Sequence, residues 1–183
     1  MDVIHTDNPK EVIALLRGLR AVRQFRAGAI PQEVVDAILD VARWSGSANN
    51  RQHWEFVVIR ERGTLQALAK CEGYAWHLAG AALGIVVVMA GNADLVDQET
   101  YDEGRLSERM MLAAEAYGVG SSIGWFKGNG RKDAKALLGI PQERLVRTVI
   151  SLGYPDEEAR RARPKVADAR KPLSELVHWE RYL

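Results

Sequence analysis

SGSANNRQHWEFVVI, Ser45 to Ile59, decides how the rest of the chain is read, because nine small, amide or charged residues end abruptly at an apolar run. Trp54 to Ile59 is rich in aromatic and β-branched residues and predicts a strand. Upstream, Val34, Val35, Ile38, Leu39 and Ala42 recur on one face of a helix that starts at Pro31 and meets a terminating glycine at Gly46. Helix, polar turn and buried strand in quick succession predict a mixed α and β domain.

Working outward, Asn8, Pro9 and Glu11 form a cap, a first-turn proline and a capping-box acid for a first helix that runs to about Leu19. Thr64 to Lys70 predicts a short helix, and Ile85 to Met89 a strand buried on both faces. A long helix is expected from about Asp102 to Tyr117, with Leu106, Met110, Ala113, Ala114 and Tyr117 inward. Gly118 to Gly124, GVGSSIG, reads as a turn into Trp125 and Phe126. A further short helix ends at Gly139, and Leu145 to Leu152 is the last strong strand. Tyr154 to Pro172 is a charged connection that cannot hold a core. No repeat or domain boundary interrupts residues 1–183, so one domain is expected.

The bulk numbers narrow the class. At 183 residues a chain buries roughly 70% of its unfolded surface in one core. A formal net charge of +1 creates no field that implies nucleic acid or acidic lipid as a partner. The most apolar segment, AGAALGIVVVMAG, falls short of the ~20 residues of a membrane span, and the N-terminus lacks a signal-peptide pattern, so a cytoplasmic protein is expected. Cys71 stands alone and cannot form an internal disulfide.

Several motifs admit chemistry. RAVRQF, Arg20 to Phe25, sets two guanidinium groups three residues apart, a spacing at which both can converge on one anion such as a phosphate; two solvated surface arginines are the bland alternative. GVGSSIG reads GxGxxxG after a helix, which excludes the Rossmann fingerprint and leaves a backbone that can approach a flat ligand, or an ordinary glycine C-cap. His5, His53, His77 and His178 are scattered, so no metal site is expected, and no nucleophile stands beside a base. Tyr74 and Trp76 read as core residues. The basic residues from Arg160 to Lys171 have Glu157, Glu158 and Asp168 close by and no aromatic among them, so they read as a solvated loop, with Arg170 and Lys171 beside Pro172 the exception. The amides of the opening stretch suit imide and carbonyl edges, and Ser47 with nearby backbone amides suits a ribityl chain or phosphate. A turn with one left-handed asparagine is a strained account of Ser47, Asn49, Asn50 and Gln52 together.

In order, Arg20 to Phe25, Ser47 to Trp54, Gly118 to Ser122, Leu138 to Pro141, Leu152 to Pro155 and Arg170 to Leu173 resemble the nitroreductase family of flavin enzymes, over about Arg17 to Trp179. The resemblance implies an α+β fold, a three-layer α-β-α sandwich, as an intertwined homodimer with two FMN molecules at the subunit interface. It implies that Arg20, Ala21 and Arg23, joined by Arg170, hold the FMN phosphate. Ser47, Ala48 and Asn50 would come from the other subunit, with Gln52 nearer the ring, and Ser122, Ile123, Gly124 and Trp125 would be backbone contacts beside N5. The implied activity is two-electron transfer from NAD(P)H through FMN to a nitroaromatic, quinone or similar acceptor by ping-pong exchange, with no catalytic acid or base in the protein. A specialised oxidase, dehalogenase or flavin-fragmenting enzyme on the same scaffold, and a non-catalytic FMN-binding protein, are the alternatives. The chain departs from the family pattern at Ala21, where serine is usual, at Gly46 and His53, where proline is usual, at Leu19, where a second arginine is usual, and at Ile123, where tryptophan is frequent.

Overall fold

A computed structural model describes residues 8–162 and 170–182. The helices are α1 (Pro9–Gly18), α2 (Gln32–Arg43), α3 (Arg62–Leu68), α4 (Val96–Ala116), α5 (Gly130–Leu138) and α6 (Glu157–Ala162). The strands are β1 (Trp54–Ile59), β2 (Leu83–Met89), β3 (Gly120–Trp125) and β4 (Leu145–Gly153), in one antiparallel sheet of order β1-β2-β4-β3. Among the described residues no helix is long and apolar enough to cross a membrane.

Every residue of β2 is buried, as an unbroken apolar run requires of a central strand with helices on both faces. Alternation divides its side chains: Leu83, Ile85, Val87 and Met89 join Val35, Ile38, Leu106, Met110 and Ala114 from α2 and α4, while Val86 and Val88 join Leu65, Leu68, Ala134 and Ile140 from the α3 and α5 side. Two helical layers thus enclose the sheet. The register shift between Val86 and Val88 marks a bulge in β4 at Arg147 and Thr148, which keeps Ile150 and Leu152 on the α4 face despite the intervening residue.

Local chemistry sets the ends of these elements. The Asn8 side chain accepts the Glu11 amide at the start of α1, and the Glu61 carboxylate caps α3 through the amides of Gly63 and Thr64, which hold that acid below its usual pKa. Two expectations need correction. Gly120–Trp125 is a strand, with only Gly118, at φ +68°, in the left-handed conformation that ends α4. Its glycines answer close approach: a Cβ at Gly120 would lie 2.8 Å from Val22, and one at Gly124 would lie 2.9 Å from Val149. Tyr117 is exposed, because it is the cap residue after α4 ends at Ala116; of the expected set Leu106, Met110 and Ala114 are fully buried, and the helix starts earlier, at Val96. The charged connection is described only to Ala162 and again from Arg170; its middle lies outside the described residues, as does His5.

Candidate functional site

The segment after α1 is extended and lies along the free side of β3. Ala21 forms a parallel bridge with Ser121, and the Val22 amide donates to the Ser121 carbonyl at 2.7 Å. Further on, Arg26 N donates to Tyr154 O at 3.0 Å and Asp156 N to Gln24 O at 3.1 Å. Gly153 permits this crossing, because a Cβ there would lie 2.8 Å from the Phe25 ring. At the head of the segment is an open groove of about 900 Å³, whose lining includes Arg17, Arg20, Ala21, Glu108, Met111 and Arg170.

Three guanidinium groups therefore share one groove, and among the described residues none of them forms an ion pair. Arg20 spends Nη1 on the carbonyls of Arg17 and Leu19, at 2.7 and 2.8 Å, where the last turn of α1 leaves acceptors free. Its other N–H groups remain for an anion. Arg17 escaped sequence reading; its signal is its place one helical turn before Arg20. Arg23 does not join the groove. Residues three apart converge on a helix but not along an extended segment, where successive side chains alternate. Arg23 instead lies close enough to His77 to disfavour a proton there.

His77 is buried, with Nδ1 2.6 Å from Ser151 Oγ, and the backbone of Tyr74 and Ile123 lies near enough to the ring to favour its proton slightly. Burial foremost, then the Arg23 charge, pushes its pKa down to about 4, so the ring is neutral near pH 7. Ser151 Oγ donates onward to the carbonyl of Ser122 at 3.3 Å, which ties the ring to the middle of β3.

The backbone of β3 presents a gap. Bonded residues alternate in an antiparallel pair, and Phe126 N donates to Arg147 O, so Gly124 and Ser122 face β4 while Ser121, Ile123 and Trp125 turn their amide groups to the free edge. The carbonyl of Ser121 accepts from Val22, and that of Trp125 accepts from Tyr74 N at 2.7 Å. Between those two flanking segments the Ile123 N–H faces outward. Ser122 and Gly124 are buried, whereas the side chains of Ile123 and Trp125 are exposed.

Ser47 to Gln52 forms a turn of unusual backbone. Asn49, Asn50 and Gln52 all stand at positive φ, 53°, 52° and 52°. Strain of this kind costs about 1 kcal/mol or more per non-glycine residue and collects at functional sites. Local bonds hold the turn: Gln52 N donates to Ser47 Oγ at 2.9 Å, and Gln52 Nε2 reaches Asn50 at 3.3 Å. Ala48 opens the single 3₁₀ turn within it. Part of the amide capacity thus serves the loop itself.

The strand that follows this turn and β3 are the two opposite edges of the sheet. Trp54 aligns with Met89 and Leu145, whereas Ser122 aligns with Ser151. Three strand spacings at ~4.8 Å and six residues of β4 at ~3.4 Å put Trp54 and Ser122 ~25 Å apart, at diagonal corners of the sheet. Ser47, Ala48, Asn50 and Gln52 are absent from the lining of the groove that holds Arg17, Arg20, Ala21 and Arg170.

The nitroreductase family model matches residues 16–102. A protein of Archaeoglobus fulgidus, provisionally named NADH dehydrogenase/NAD(P)H nitroreductase, is 31% identical over 153 residues, covering 81% of this chain and 88% of that one. A Vibrio harveyi protein named NADPH-flavin oxidoreductase is 26% identical over 89% of this chain and 71% of its own length. Among solved structures, an FMN-dependent nitroreductase from Clostridium difficile superposes with a TM-score of 0.78 at 24% identity, covering 93% of this chain and 99% of that one. Nitroreductase A from Vibrio parahaemolyticus gives 0.81 at 24% identity over 95% and 78%.

Proposed function

The chain belongs to the nitroreductase family, and on that premise we propose that it is an FMN-dependent oxidoreductase passing two electrons from NAD(P)H to a nitroaromatic, quinone or similar acceptor. The observation that carries this reading is the line from the arginine groove to the outward Ile123 amide, along one edge of β3. Guanidinium groups without carboxylate partners suit a phosphate at one end, and a lone backbone donor in a gap suits a heterocyclic acceptor atom at the other.

In this reading Arg17, Arg20 and Arg170 hold the phosphate, with Ala21 offering backbone only. Arg23, set apart from them near His77, would lie toward the ring end of the site, where its charge would tune the potential of a bound flavin. The Ile123 amide orients the ring, with Ser122, Gly124 and Trp125 as its neighbours on the strand. FMN, when bound, supplies the hydride chemistry. His77, neutral near pH 7, and Ser151 steady the middle of β3. With one face available, donor and acceptor occupy it in turn, a ping-pong exchange.

Two copies complete the site. The partner subunit supplies its own Ser47 turn, whose residues do not line the arginine groove within one protomer. An intertwined homodimer also explains the unburied apolar residues: α1 buries none of its side chains, and Leu173, Leu176, Val177, Trp179 and Tyr182 of the C-terminal segment are exposed. We place the enzyme in the cytoplasm, with the NAD(P)H pool. The test is the visible spectrum of the purified protein under anaerobic conditions. A flavin band that bleaches with NAD(P)H and returns with a quinone is expected; a colourless protein that ignores added FMN overturns the reading.

A further inference from the structure

Next to the Ile123 edge the fold leaves aromatic rings uncovered. Gly73 pairs with Phe126, and this register sets Tyr74 opposite Trp125. Opposed residues share a face of a sheet, as do residues two apart on a strand. Ile123, Trp125, Lys127 and Tyr74 therefore stand on one side. Tyr74 is 61% exposed and Trp125 36%. The Lys127 ammonium lies 4.3 Å above the Tyr74 ring centroid and 3.3 Å from its hydroxyl. Arg147 approaches the Trp125 ring to 5.7 Å, but the buried Glu103 carboxylate matches its charge.

Lys127 has no such match. Glu72 accepts the Lys127 amide on its carbonyl but turns its carboxylate to the Asn129 amide at 3.0 Å. Among the described residues no ion pair includes Lys127. A Cβ at Gly73 would lie 2.0 Å from the Trp125 carbonyl, so no side chain at that position can come between Tyr74 and Trp125.

We propose that Tyr74, Trp125, Ile123 and Lys127 form the acceptor subsite, and that it selects flat aromatic acceptors carrying a carboxylate or similar anion. The use of this surface for turnover rests on the flavoenzyme reading; the surface itself belongs to this chain alone. Tyr74 and Trp125 offer faces and edges for ring contact. Lys127, positioned by the Tyr74 ring, keeps N–H donors for the anion. A charge opposite the anion supplies the discrimination, while the rings bind neutral and anionic acceptors alike.

The probes are 4-nitrobenzoate and its neutral counterpart 4-nitrobenzamide. Dissociation constants come from quenching of tryptophan fluorescence on the purified protein without NAD(P)H, with and without added FMN. Steady-state kcat/KM for both acceptors follows with NADH and with NADPH. The parent protein is expected to favour the carboxylate about 3- to 10-fold, the range for one partly solvated charge contact. Lys127→Gln should remove that preference with the benzamide constant and the flavin content unchanged, and Lys127→Glu should reverse it. An unchanged preference in both variants overturns the proposal. So does a variant whose only change is a lower kcat/KM for NADPH, which assigns the lysine to the donor. A carboxylate preference in binding, lost in Lys127→Gln, in a protein that takes up no FMN supports the subsite and refutes the flavin reading alone.

Discussion

If the arginine groove and the Ser47 turn of one protomer serve different flavins, two damaged chains should repair one another. Consider Arg20→Ala with Arg170→Ala in one chain, and Ser47→Ala with Asn50→Gly in the other; glycine keeps the positive φ of 52° at residue 50 while removing its amide. Two charge-assisted contacts at about 1.5–3 kcal/mol each weaken FMN binding by roughly 10²- to 10⁴-fold in the first, and two neutral bonds at about 1 kcal/mol each by roughly 30-fold in the second. A mixed dimer has one site carrying all four changes and one carrying none. Random pairing makes about half the dimers mixed, so about one quarter of all sites are intact. The two chains are unfolded together, refolded in equal amounts, and titrated with FMN at a few times the parent Kd. Occupancy near one quarter of the parent's is expected. Occupancy no higher than the mean of the two variants refolded separately would show that each flavin is held within one chain.

Arg20→Ala alone should weaken FMN binding by about 10- to 150-fold, with a smaller loss at high salt, while the exposed Arg161→Ala serves as control; equal affinity in a fluorescence titration returns Arg20 to a role in ending α1. His77 resists protonation when folded, so as pH falls from 6.5 towards 4 the unfolded chain gains a proton that the folded one refuses, and up to about 3 kcal/mol of stability is lost. Above pH 6.5 this contribution is constant. Urea midpoints of the parent and His77→Asn should diverge across that window, and parallel pH profiles would contradict the assignment. Gly153→Ala forces a Cβ to 2.8 Å from Phe25, so it should cost about 1–3 kcal/mol and loosen the Arg20 segment, read as a lower urea midpoint together with a lower FMN affinity. An unchanged midpoint would mean that the segment is not seated as described.

Elements with strong periodicity were legible from the sequence: the capped α1, the amphipathic face of α2, and β2 as a run buried on both sides. β3 was not, because Gly120 and Gly124 resemble a turn until the residues they accommodate, Val22, Ala75 and Val149, are known to lie against them. That requirement is nonlocal, and no window around residues 118–125 contains it. The spacing of Arg20 and Arg23 suggests convergence only if the backbone is helical, and it is extended, so Arg20 lines the groove and Arg23 does not. Tyr74 and Trp76, read as core, are both exposed, since the loop that carries them runs along an edge strand and not beneath it. One left-handed asparagine was considered for the opening stretch. The structure has Asn49, Asn50 and Gln52 in that region, and only the closing bond from Gln52 N to Ser47 Oγ shows how one turn accommodates them.

The gap at Ile123 also bears on how the protein behaves in its empty form. An edge strand with unpaired backbone groups is a template for another strand, and proteins usually blunt it. Here the Ala21 and Tyr74 segments shield the two ends of β3, and the short stretch between them is left to the cofactor in the proposed reading. Losing the cofactor would then uncover a pairing edge flanked by Ile123 and Trp125, both apolar and exposed. Flavin supply during synthesis would set the yield of soluble protein as well as its colour.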